Sequence, residues 1–409
     1  MPITKCRICG AAELQAVLSL GHTPLANSLL TAAQLDSPEA TYPLEVVFCP
    51  TCTLVQITET VPPEVLFGNY LYFSSFSDTV LHNARTLVEQ LVQRRHLDTT
   101  SLAGEIASND GYLLKNYQTY GIPVLGIEPA RNIAATAQAN GIRTLNRFFD
   151  AYVGAELAAA GEQADVIHAN NVLAHVADLH GVVSGLRQWL KAAGVAVIEA
   201  PYLKDTIDQT EFDQIYHEHL CYFSLTALKT LFADHALKIV DVEHLPIHGG
   251  SLRVYVTHAD APEAVQPSVA AWLDEEQEWG VARLDFYRNF GAKVAQLKTD
   301  LRNLLAGIKT AGHRIVVYGA SAKGSTLLNY FGLGQETIDY VVDRSTVKQG
   351  LYTPGTHLQI VPPERLLADQ PDYVLLLTWN FATEILEQQA EYRRRGGRFI
   401  LPIPTLKVV

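Results

Sequence analysis

An alternation of short apolar strands with helical segments constrains this fold more than any other feature of the chain. After residue 101 the stretches LAGEIAS, IPVLGIEPA, ADVIHANN and VAVIEAP have the length and composition of buried strands, and helix-like segments separate them. Strands joined by helices pair in parallel, so the alternation predicts an α/β fold with helices on both faces of a parallel sheet. The later stretches LKIVDVEHL and GSLRVYVTH are expected to close this sheet as two antiparallel strands.

A second alternating series begins at HRIVVYGAS and ends at RFILPIP, after a polar, helix-rich bridge. The chain has 409 residues, which is too long for one typical domain. We therefore expect three domains. They are an N-terminal module over residues 1–73, a central Rossmann-like domain over 74–260 and a C-terminal Rossmann-like α/β domain over 261–409.

The cysteines predict a metal site in the N-terminal module. Four of the five form two Cys-x-x-Cys pairs, CRIC and CPTC, and Cys221 is left over as a small buried side chain. Two such pairs suit a tetrahedral zinc site, and four thiolates leave no open position, so the zinc should be structural. Disulfides fit a cytoplasmic chain poorly, and a redox motif needs no second pair. The segment LGHTPLANSLL between the pairs is expected to loop out. The four ligands are Cys6, Cys9, Cys49 and Cys52.

Charge and hydropathy limit the possible partners. The formal net charge is −12, which argues against a nucleic-acid-binding surface because phosphate neutralisation needs a basic face. A local basic pocket for a small anionic ligand stays compatible with this charge. The longest apolar runs have strand length, and MPITKCRICG has no apolar signal core. We therefore expect a cytoplasmic protein with no membrane partner.

The turn after the first central strand predicts a nucleotide-type cofactor. EIASNDGYLL places a short polar turn between a strand and a helix, where backbone amides face the carboxyl edge of the sheet. The next strand ends at Glu128 and Pro129, at the spacing where an acidic residue holds ribose hydroxyls. NAD and S-adenosylmethionine both fit this pattern, but the absence of a full G-x-G-x-x-G motif favours S-adenosylmethionine. The candidate residues of the turn are Ala107, Ser108, Asn109, Asp110 and Gly111.

The C-terminal series contains a comparable turn, YGASAKG, between its first strand and its first helix. Ser321 and Lys323 can bind a phosphate at the N-terminus of that helix, although small residues equally suit tight packing of a strand–helix unit. Two nucleotide-type sites in one chain suggest one site for a cofactor and one for a nucleotide-linked substrate.

Longer motifs follow one another along nearly the whole chain. They are CRICG…CPTCTLVQ, EIASNDGYLLK, GIEPA, ANNVLAHVADL, IEAPY, EFDQIYHEHLCYFS, HGGSLRVY and VYGASAKG…VDRSTVKQGLYTPGTH. In this order they resemble the nucleotide-sugar 3-C-methyltransferases, a family that includes enzymes methylating carbon 3 of dTDP-linked 4-keto deoxysugars. The resemblance implies a zinc module, a central S-adenosylmethionine-dependent methyltransferase domain and a C-terminal domain that binds the nucleotide-sugar. Ala107 departs from the more usual EIGSNDG and should change one backbone contact.

The stretch YHEHLCYFS carries side chains suited to methylation beside a ketone. Loss of a proton from carbon 3 gives an enolate that attacks the sulfonium methyl group, so the reaction needs a base and a group that stabilises the enolate oxygen. His219 is the expected base because a neutral imidazole exists near neutral pH, and the resemblance points to the same residue. Tyr216 is expected to hydrogen-bond the keto oxygen. Glu218 should orient the histidine or bind a sugar substituent, and His217 is expected to pack or lie at the surface.

The resemblance adds further candidates outside this stretch. Tyr70 resembles an additional active-site tyrosine of the family, and Asn170 and Asn171 lie where the cofactor should bind. Asn171 is also expected to line the floor between cofactor and sugar. The candidate substrate-binding residues are Asn171, Tyr222, Ser321, Lys323, Asp343 and Lys348.

Two other functions stay open at this point. One is an NAD-dependent nucleotide-sugar oxidoreductase, which would use one α/β unit for the dinucleotide. The other is a non-catalytic zinc-ribbon adaptor. For the methyltransferase, the expected partner is a nucleotide-linked sugar of the dTDP or GDP type, and the protein is expected to be a monomer.

Overall fold

The computed structural model describes residues 2–68, 73–247 and 249–409, and the strands of these residues form three sheets. In chain order the strands are β1 (Gln15–Pro24), β2 (Thr41–Phe48), β3 (Val55–Ile57), β4 (Ala103–Ile106), β5 (Val124–Ile127), β6 (Thr144–Leu145), β7 (Ala164–Asn170), β8 (Leu190–Pro201), β9 (Cys221–Tyr222), β10 (Leu237–Leu245), β11 (Ser251–His258), β12 (Ile315–Tyr318), β13 (Val341–Val342), β14 (Ile360–Val361), β15 (Tyr373–Leu376), β16 (Arg398–Leu401) and β17 (Lys407–Val408).

The α-helices cover the sheets and connect the domains. In chain order they are α1 (Pro63–Phe67), α2 (Asp78–Arg95), α3 (Leu114–Gln118), α4 (Arg131–Ala139), α5 (Ala151–Ala159), α6 (Leu179–Trp189), α7 (Leu203–Asp208), α8 (Leu225–Ala233), α9 (Pro267–Trp279), α10 (Leu284–Thr310), α11 (Ala322–Phe331), α12 (Arg365–Asp369), α13 (Ala382–Gln388) and α14 (Ala390–Arg394). None of the helices in the described ranges is both long and apolar enough to cross a lipid bilayer.

The central sheet has seven strands in the order β10-β11-β8-β7-β4-β5-β6. Its strands from β8 to β6 pair in parallel, and β11 pairs antiparallel with both β8 and β10. The predicted α/β sheet with an antiparallel closing pair is therefore confirmed. The order in which successive strands are added to the sheet reverses between the parallel strands β4 and β7. The carboxyl ends of two such neighbouring strands leave a crevice where ligands bind.

The N-terminal sheet has the order β1-β2-β3-β9, and its strands pair antiparallel. Its fourth strand, β9, belongs to the stretch YHEHLCYFS, so a segment from the middle of the chain completes the N-terminal module. The long helix α10 also packs on this sheet, where Tyr287 stacks on Phe48 with ring centroids 4.7 Å apart.

The C-terminal sheet has the order β14-β13-β12-β15-β16-β17, with parallel pairs throughout except the edge strand β17. Its own reversal point lies between β12 and β15. The turns after these two strands are the YGASAKG turn and a short 3-10 turn at Trp379–Phe381. The structure thus contains a second candidate ligand crevice.

Two local predictions were wrong. The segment LGHTPLANSLL does not loop out as a whole, because β1 continues to Pro24 across a β-bulge that spans Gly21. The segment LHGVVSGLRQWLKAAG predicts a helix that Gly194 closes, but α6 ends at Trp189, since Leu190 already pairs with Ala164 of the sheet. In both segments a cross-strand hydrogen-bonded partner decided the local conformation, and that partner is distant in the sequence.

Candidate active site

The four paired cysteines converge beside the turn between β2 and β3. Their sulfur atoms all lie within 4.8 Å of one another. The Sγ atoms of Cys6 and Cys52 are 3.4 Å apart, and those of Cys9 and Cys49 are 3.5 Å apart. Tetrahedral zinc with Zn–S bonds of about 2.3 Å needs sulfur separations of about 3.8 Å. The donor set therefore fits a closed, structural zinc site.

Both cysteine pairs sit on matching backbone knuckles. The carbonyl of Cys6 accepts a hydrogen bond from the amide of Gly10 at 3.0 Å, and the carbonyl of Cys49 accepts one from Thr53 at 2.9 Å. Gly10 and Thr53 have φ values of 70° and 64°. A left-handed residue directly after each Cys-x-x-Cys pair closes the turn, which brings the two sulfurs of the pair together.

The zinc module holds part of the YHEHLCYFS stretch in place. Cys221 pairs with Gln56 of β3, and Tyr222 pairs with Val55. Cys221 is fully buried, as a small packed side chain. The four-stranded sheet therefore connects the metal cluster, beside the β2–β3 turn, with β9, which directly follows the candidate catalytic side chains.

The predicted cofactor turn has an alternating backbone conformation. Ala107, Asn109 and Gly111 have φ values of 52°, 49° and 80°. These left-handed residues form a tight turn whose amides bind within the protein: the amide of Ser108 donates to the carbonyl of Ile127 at 3.2 Å, and that of Gly111 donates to the carbonyl of Ser108 at 3.1 Å. The Oδ1 atom of Asn109 accepts a hydrogen bond from the amide of Ser74 at 2.9 Å, so the segment before α2 adjoins the turn.

Glu128 is tied to the same turn. Its carboxylate accepts hydrogen bonds from the amide of Asn109 at 2.9 Å and from the amide of Ala130, just beyond Pro129, at 2.8 Å. Burial raises the pKa of Glu128, against the opposing effect of these two amides. The acidic residue after β5 thus lies next to the turn after β4, as the sequence spacing requires of a cofactor site.

Unpartnered polar atoms mark the space beside the turn. Within the described residues, four buried oxygen atoms here have no hydrogen-bond partner: Ser108 Oγ, Asp110 Oδ1, Asn170 Oδ1 and Asn171 Oδ1. Buried polar atoms are almost always satisfied, so a cluster of such atoms at the carboxyl ends of β4 and β7 indicates a place for a polar ligand. The set fits the amino-acid and ribose groups of S-adenosylmethionine.

A cavity of about 210 Å³ opens at this edge of the central sheet. Asn170 and Asn171 line it from the central domain, together with residues at the start of α2. Asn380 and Thr383 line it from the C-terminal domain. The crevices of the two α/β domains therefore meet in one space. Among the described residues, the side chains of YHEHLCYFS do not line this cavity; they adjoin it through the segment after Asn171.

A short hydrogen-bond chain links Tyr216, His219 and Gln214. The Nδ1 atom of His219 donates to the carbonyl of Gln214 at 2.8 Å, which fixes the imidazole tautomer. The Nε2 atom therefore carries a lone pair, and the hydroxyl of Tyr216 donates to it at 2.9 Å. A proton acceptor and a hydroxyl donor, three positions apart in the sequence, are therefore in direct contact.

Two further side chains surround this pair. The carboxylate of Glu218 accepts a hydrogen bond from Asn27 Nδ2 at 2.7 Å. The ring of His175 lies 4.8 Å from that of His219, and His175 Nδ1 donates to the carbonyl of Glu218 at 2.7 Å. Burial lowers the pKa of His175 to about 4, so its ring is neutral at physiological pH. Neither Asn27 nor His175 is among the site residues predicted from the sequence.

The remaining residues of the stretch have different surroundings. His217 is buried against Tyr42 and its Nε2 atom donates to the carbonyl of Pro43 at 3.2 Å, so it diverges from His219. The hydroxyl of Tyr222 donates to the carbonyl of His219 at 3.0 Å. The candidate Tyr70 lies outside the described residues.

In the C-terminal turn, two of the predicted ligand side chains bind the backbone. The carboxylate of Asp343 accepts from the amide of Ala320 at 2.7 Å, and Lys348 Nζ donates to the carbonyl of Ala320 at 2.7 Å. Ser321 caps α11 by accepting from the amide of Gly324 at 3.1 Å. These three residues fix the shape of the turn, which is consistent with its packing role and leaves its amides at the helix N-terminus.

Lys323 faces the central domain. Its Nζ atom lies 4.9 Å from the centre of the Trp379 ring. Its charge lowers the pKa values of Glu211 and Asp213, but burial is the larger effect on both groups and raises the pKa of Glu211 to about 8. The indole Nε1 of Trp379 donates to Asp213 Oδ2 at 2.7 Å. The Nζ atom of Lys323 thus lies near buried carboxylates that directly precede the candidate catalytic stretch YHEHLCYFS.

Weak sequence signals explain which residues were missed. Asn27 is an isolated polar residue in a loop, 191 positions before its partner Glu218. His175 follows NNVLA and lies between His168 and His180, so nothing in the local sequence distinguishes it from its two neighbours. Trp379 ends the apolar run YVLLLTW, whose composition predicts only a buried strand. The one available signal for His175 was its spacing of four residues from Asn171, which places both at the carboxyl edge of β7.

Family models match three successive parts of the chain. A zinc binding domain model matches residues 6–67, a methyltransferase domain model matches residues 82–242, and a model described as a C-methyltransferase C-terminal domain matches residues 246–404. These matches support S-adenosylmethionine as the cofactor and zinc at the four cysteines. They favour a methyltransferase over the two alternatives, an NAD-dependent oxidoreductase and a non-catalytic zinc-ribbon adaptor.

Individual proteins are similar to the chain over different lengths. C-methyltransferase NovU from Streptomyces niveus is 38% identical over 408 residues, which cover 100% of this chain and 97% of NovU. Magnesium protoporphyrin IX methyltransferase from Synechocystis, solved with bound SAM, is 12% identical over 44% of this chain and 79% of its own, with a TM-score of 0.33. A Pyrococcus horikoshii protein is 12% identical over 49% of this chain and 100% of its own, with a TM-score of 0.36.

The full-length identity to NovU agrees with the three domain matches and with the α/β fold. It confirms the family resemblance that the sequence motifs indicated. This chain belongs to the family of S-adenosylmethionine-dependent C-methyltransferases that includes NovU.

Proposed function

We propose that this protein methylates carbon 3 of a nucleotide-linked 4-keto deoxysugar, through an enolate that a protein base generates. The observation that carries the proposal is the hydrogen-bond chain Tyr216–His219–Gln214. A C-methyltransferase must first remove a proton from carbon, and the fixed tautomer of His219 leaves Nε2 as a proton acceptor.

A 4-keto sugar offers each member of the pair a suitable partner. The keto oxygen can accept the hydrogen bond from the Tyr216 hydroxyl, while carbon 3 gives its proton to Nε2 of His219. The electron pair of the broken C–H bond becomes the enolate, and the Tyr216 hydrogen bond stabilises its oxygen. S-adenosylmethionine supplies the methyl group as a sulfonium, and carbon 3 attacks that group.

Glu218 and His175 support the proton acceptor in this proposal. Glu218 is held by a hydrogen bond from Asn27, and in this proposal its carboxylate orients the histidine or binds a sugar substituent. His175 is neutral and packs against His219, so it adds no charge that would disfavour protonation of the base.

The ligand sites follow the division of the chain into residues 1–73, 74–260 and 261–409. The turn at residues 107–111, with Glu128, Pro129, Asn170 and Asn171, would hold S-adenosylmethionine on the central sheet. The C-terminal domain would hold the nucleotide and diphosphate of a dTDP- or GDP-linked sugar. In this proposal the amides after Ser321 and the ammonium of Lys323 face the phosphates, in the turn that Asp343 and Lys348 brace.

The direct test uses mass spectrometry of turnover with a panel of nucleotide-linked 4-keto sugars. The panel varies the base between thymine and guanine, and carbon 3 between amine and hydroxyl. We expect one class to gain a single methyl group from S-adenosylmethionine. With a methyl donor labelled in its methyl carbon, NMR should place the label on carbon 3. A label on carbon 5, the other carbon beside the ketone, would correct the position, and a label on oxygen or nitrogen would contradict C-methylation.

Glu128→Ala should weaken S-adenosylmethionine binding by about 1–3 kcal/mol, because it removes a carboxylate placed to accept hydrogen bonds from the ribose hydroxyls. Isothermal titration calorimetry checks this without any sugar. Asn146→Ala is a matched control. Asn146 holds the turn directly after β5 by donating to the backbone carbonyls of Glu128 and Pro129, and it does not contact the Glu128 carboxylate through these bonds. Equal losses in both variants would mean that Glu128 shapes the turn and does not bind the cofactor.

A further inference from the structure

The turn after β15 links the catalytic stretch to the cavity. Residues 379–384 begin with the 3-10 turn at Trp379–Phe381 and continue into α13. Asn380 and Thr383 of this segment line the cavity that Asn170 and Asn171 line from the opposite domain. The segment therefore forms a wall of this cavity, although it belongs to the C-terminal domain.

One side chain anchors this wall. Trp379 is 7% exposed, and its indole N–H donates to Asp213, which is fully buried three residues before Tyr216. Lys323, from the neighbouring turn of the same sheet, stacks its ammonium over the Trp379 ring. Hydrogen bonds to carboxylates are stronger than those between neutral groups. Removal of the indole donor would leave a buried carboxylate oxygen of Asp213 without this partner, which is costly.

We propose that Trp379 is a positioning residue for the acceptor sugar, and that it acts by holding Asn380 and Thr383 against the cavity. This inference rests on the proposed function. The cofactor candidates all lie on the central sheet, within the part that matches a methyltransferase domain. The part of the cavity bounded by the C-terminal domain is therefore left for the acceptor, and an error of about 1 Å in such a wall can cost roughly 10²-fold in rate.

The chain contains a matched control for this bond. Trp279 donates its indole N–H to Asp208 Oδ1 at 2.9 Å, but this bond is exposed and neither residue lines the cavity. Trp279→Phe and Trp379→Phe each remove one indole donor to one aspartate and keep an aromatic ring. Only the second removes the anchor of residues 379–384.

The kinetic test measures turnover against acceptor concentration for both variants, with a panel sugar that the unaltered protein methylates. Trp379→Phe should raise KM for the sugar by roughly 10-fold, and calorimetry should show unchanged affinity for S-adenosylmethionine. Trp279→Phe should match the unaltered protein in both measurements. Asn380→Ala, which leaves the anchor intact, should also raise KM for the sugar.

Hydrogen exchange of the amides from 379 to 388 tests the anchor without a sugar. We expect faster exchange there in Trp379→Phe and no change in Trp279→Phe. Unchanged exchange, or faster exchange with an unchanged KM, would overturn the positioning role. Equal loss of cofactor and sugar affinity in Trp379→Phe would overturn it as well. Residues 379–384 would then stabilise the contact between the two domains and would not position the sugar in particular. If no panel sugar is methylated at all, the proposed function fails, while the exchange result still decides whether the anchor exists.

Discussion

His219→Asn should reduce turnover by roughly 10²–10⁴-fold, the usual contribution of a general base, while the fold and both ligand affinities persist. Asparagine can keep a hydrogen bond to the carbonyl of Gln214, but it offers no lone-pair nitrogen of suitable basicity to the substrate. The hydroxyl of Tyr216 would also lose its acceptor. Steady-state kinetics with a 4-keto sugar, and calorimetry for each ligand, measure these effects separately.

The proton step can be observed apart from methyl transfer. In deuterated water without a methyl donor, the unaltered protein should exchange hydrogen at carbon 3 of the sugar, and His219→Asn should not. His217→Asn is the matched control, because His217 lies two residues away and its ring donates to the carbonyl of Pro43. It should retain both exchange and turnover.

Tyr216→Phe should slow turnover less than His219→Asn, since it removes one hydrogen bond to the developing enolate and leaves the base in place. The order of the two effects assigns the roles. An active His219→Asn with an inactive Tyr216→Phe would make the tyrosine the base. If both variants stay active, a water molecule or another side chain takes the proton and His219 only positions the sugar.

Loss of the zinc site should unfold the N-terminal module. Structural zinc contributes about 10–16 kcal/mol in isolated zinc-finger peptides, which equals or exceeds the roughly 5–15 kcal/mol stability of a whole domain. Metal analysis should give about one zinc per chain, and Cys49→Ala should give none. We expect Cys49→Ala to lose solubility first, and any soluble fraction to lose turnover because β9 pairs with β3 of this module.

Cys221→Ala provides the control for a lost thiol. Cys221 is buried in the same sheet but lies outside the four-sulfur cluster. This variant should keep its zinc and remain soluble. A folded, soluble preparation of the unaltered chain without zinc would contradict the structural role of the metal.

The sequence was most informative where a pattern repeats locally. The alternation of strands and helices predicts both α/β sheets. The apolar residues of SDTVLHNARTLVEQLVQRRH recur on one side of a helix, and this periodicity predicts a helix that agrees with α2 almost to its ends. There Ser77 caps the N-terminus, and His96 ends the helix with a φ of 51°. Such features depend on residues within a few positions of one another, and propensity and periodicity report on that range.

Non-local partners account for what the sequence could not show. The strand β9 has only two residues, and its pairing with β3 joins positions 165 and 167 residues apart, as Gln56 with Cys221 and Val55 with Tyr222. The bond between Trp379 and Asp213 spans 166 residues. Nothing in the local composition of either segment marks the contact, because the contact depends on how separate sheets are placed.

The shared sheet also has a consequence for biosynthesis. When the first 73 residues have left the ribosome, the edge of β3 has no neighbour on one side, and it keeps that open edge until residues 221–222 emerge. An open strand edge is a template for pairing with other chains. A zinc ion bound early would hold the β2–β3 turn in shape during this interval. Bound zinc would therefore stabilise the unfinished module until the segment that carries His219, the candidate base, supplies its last strand.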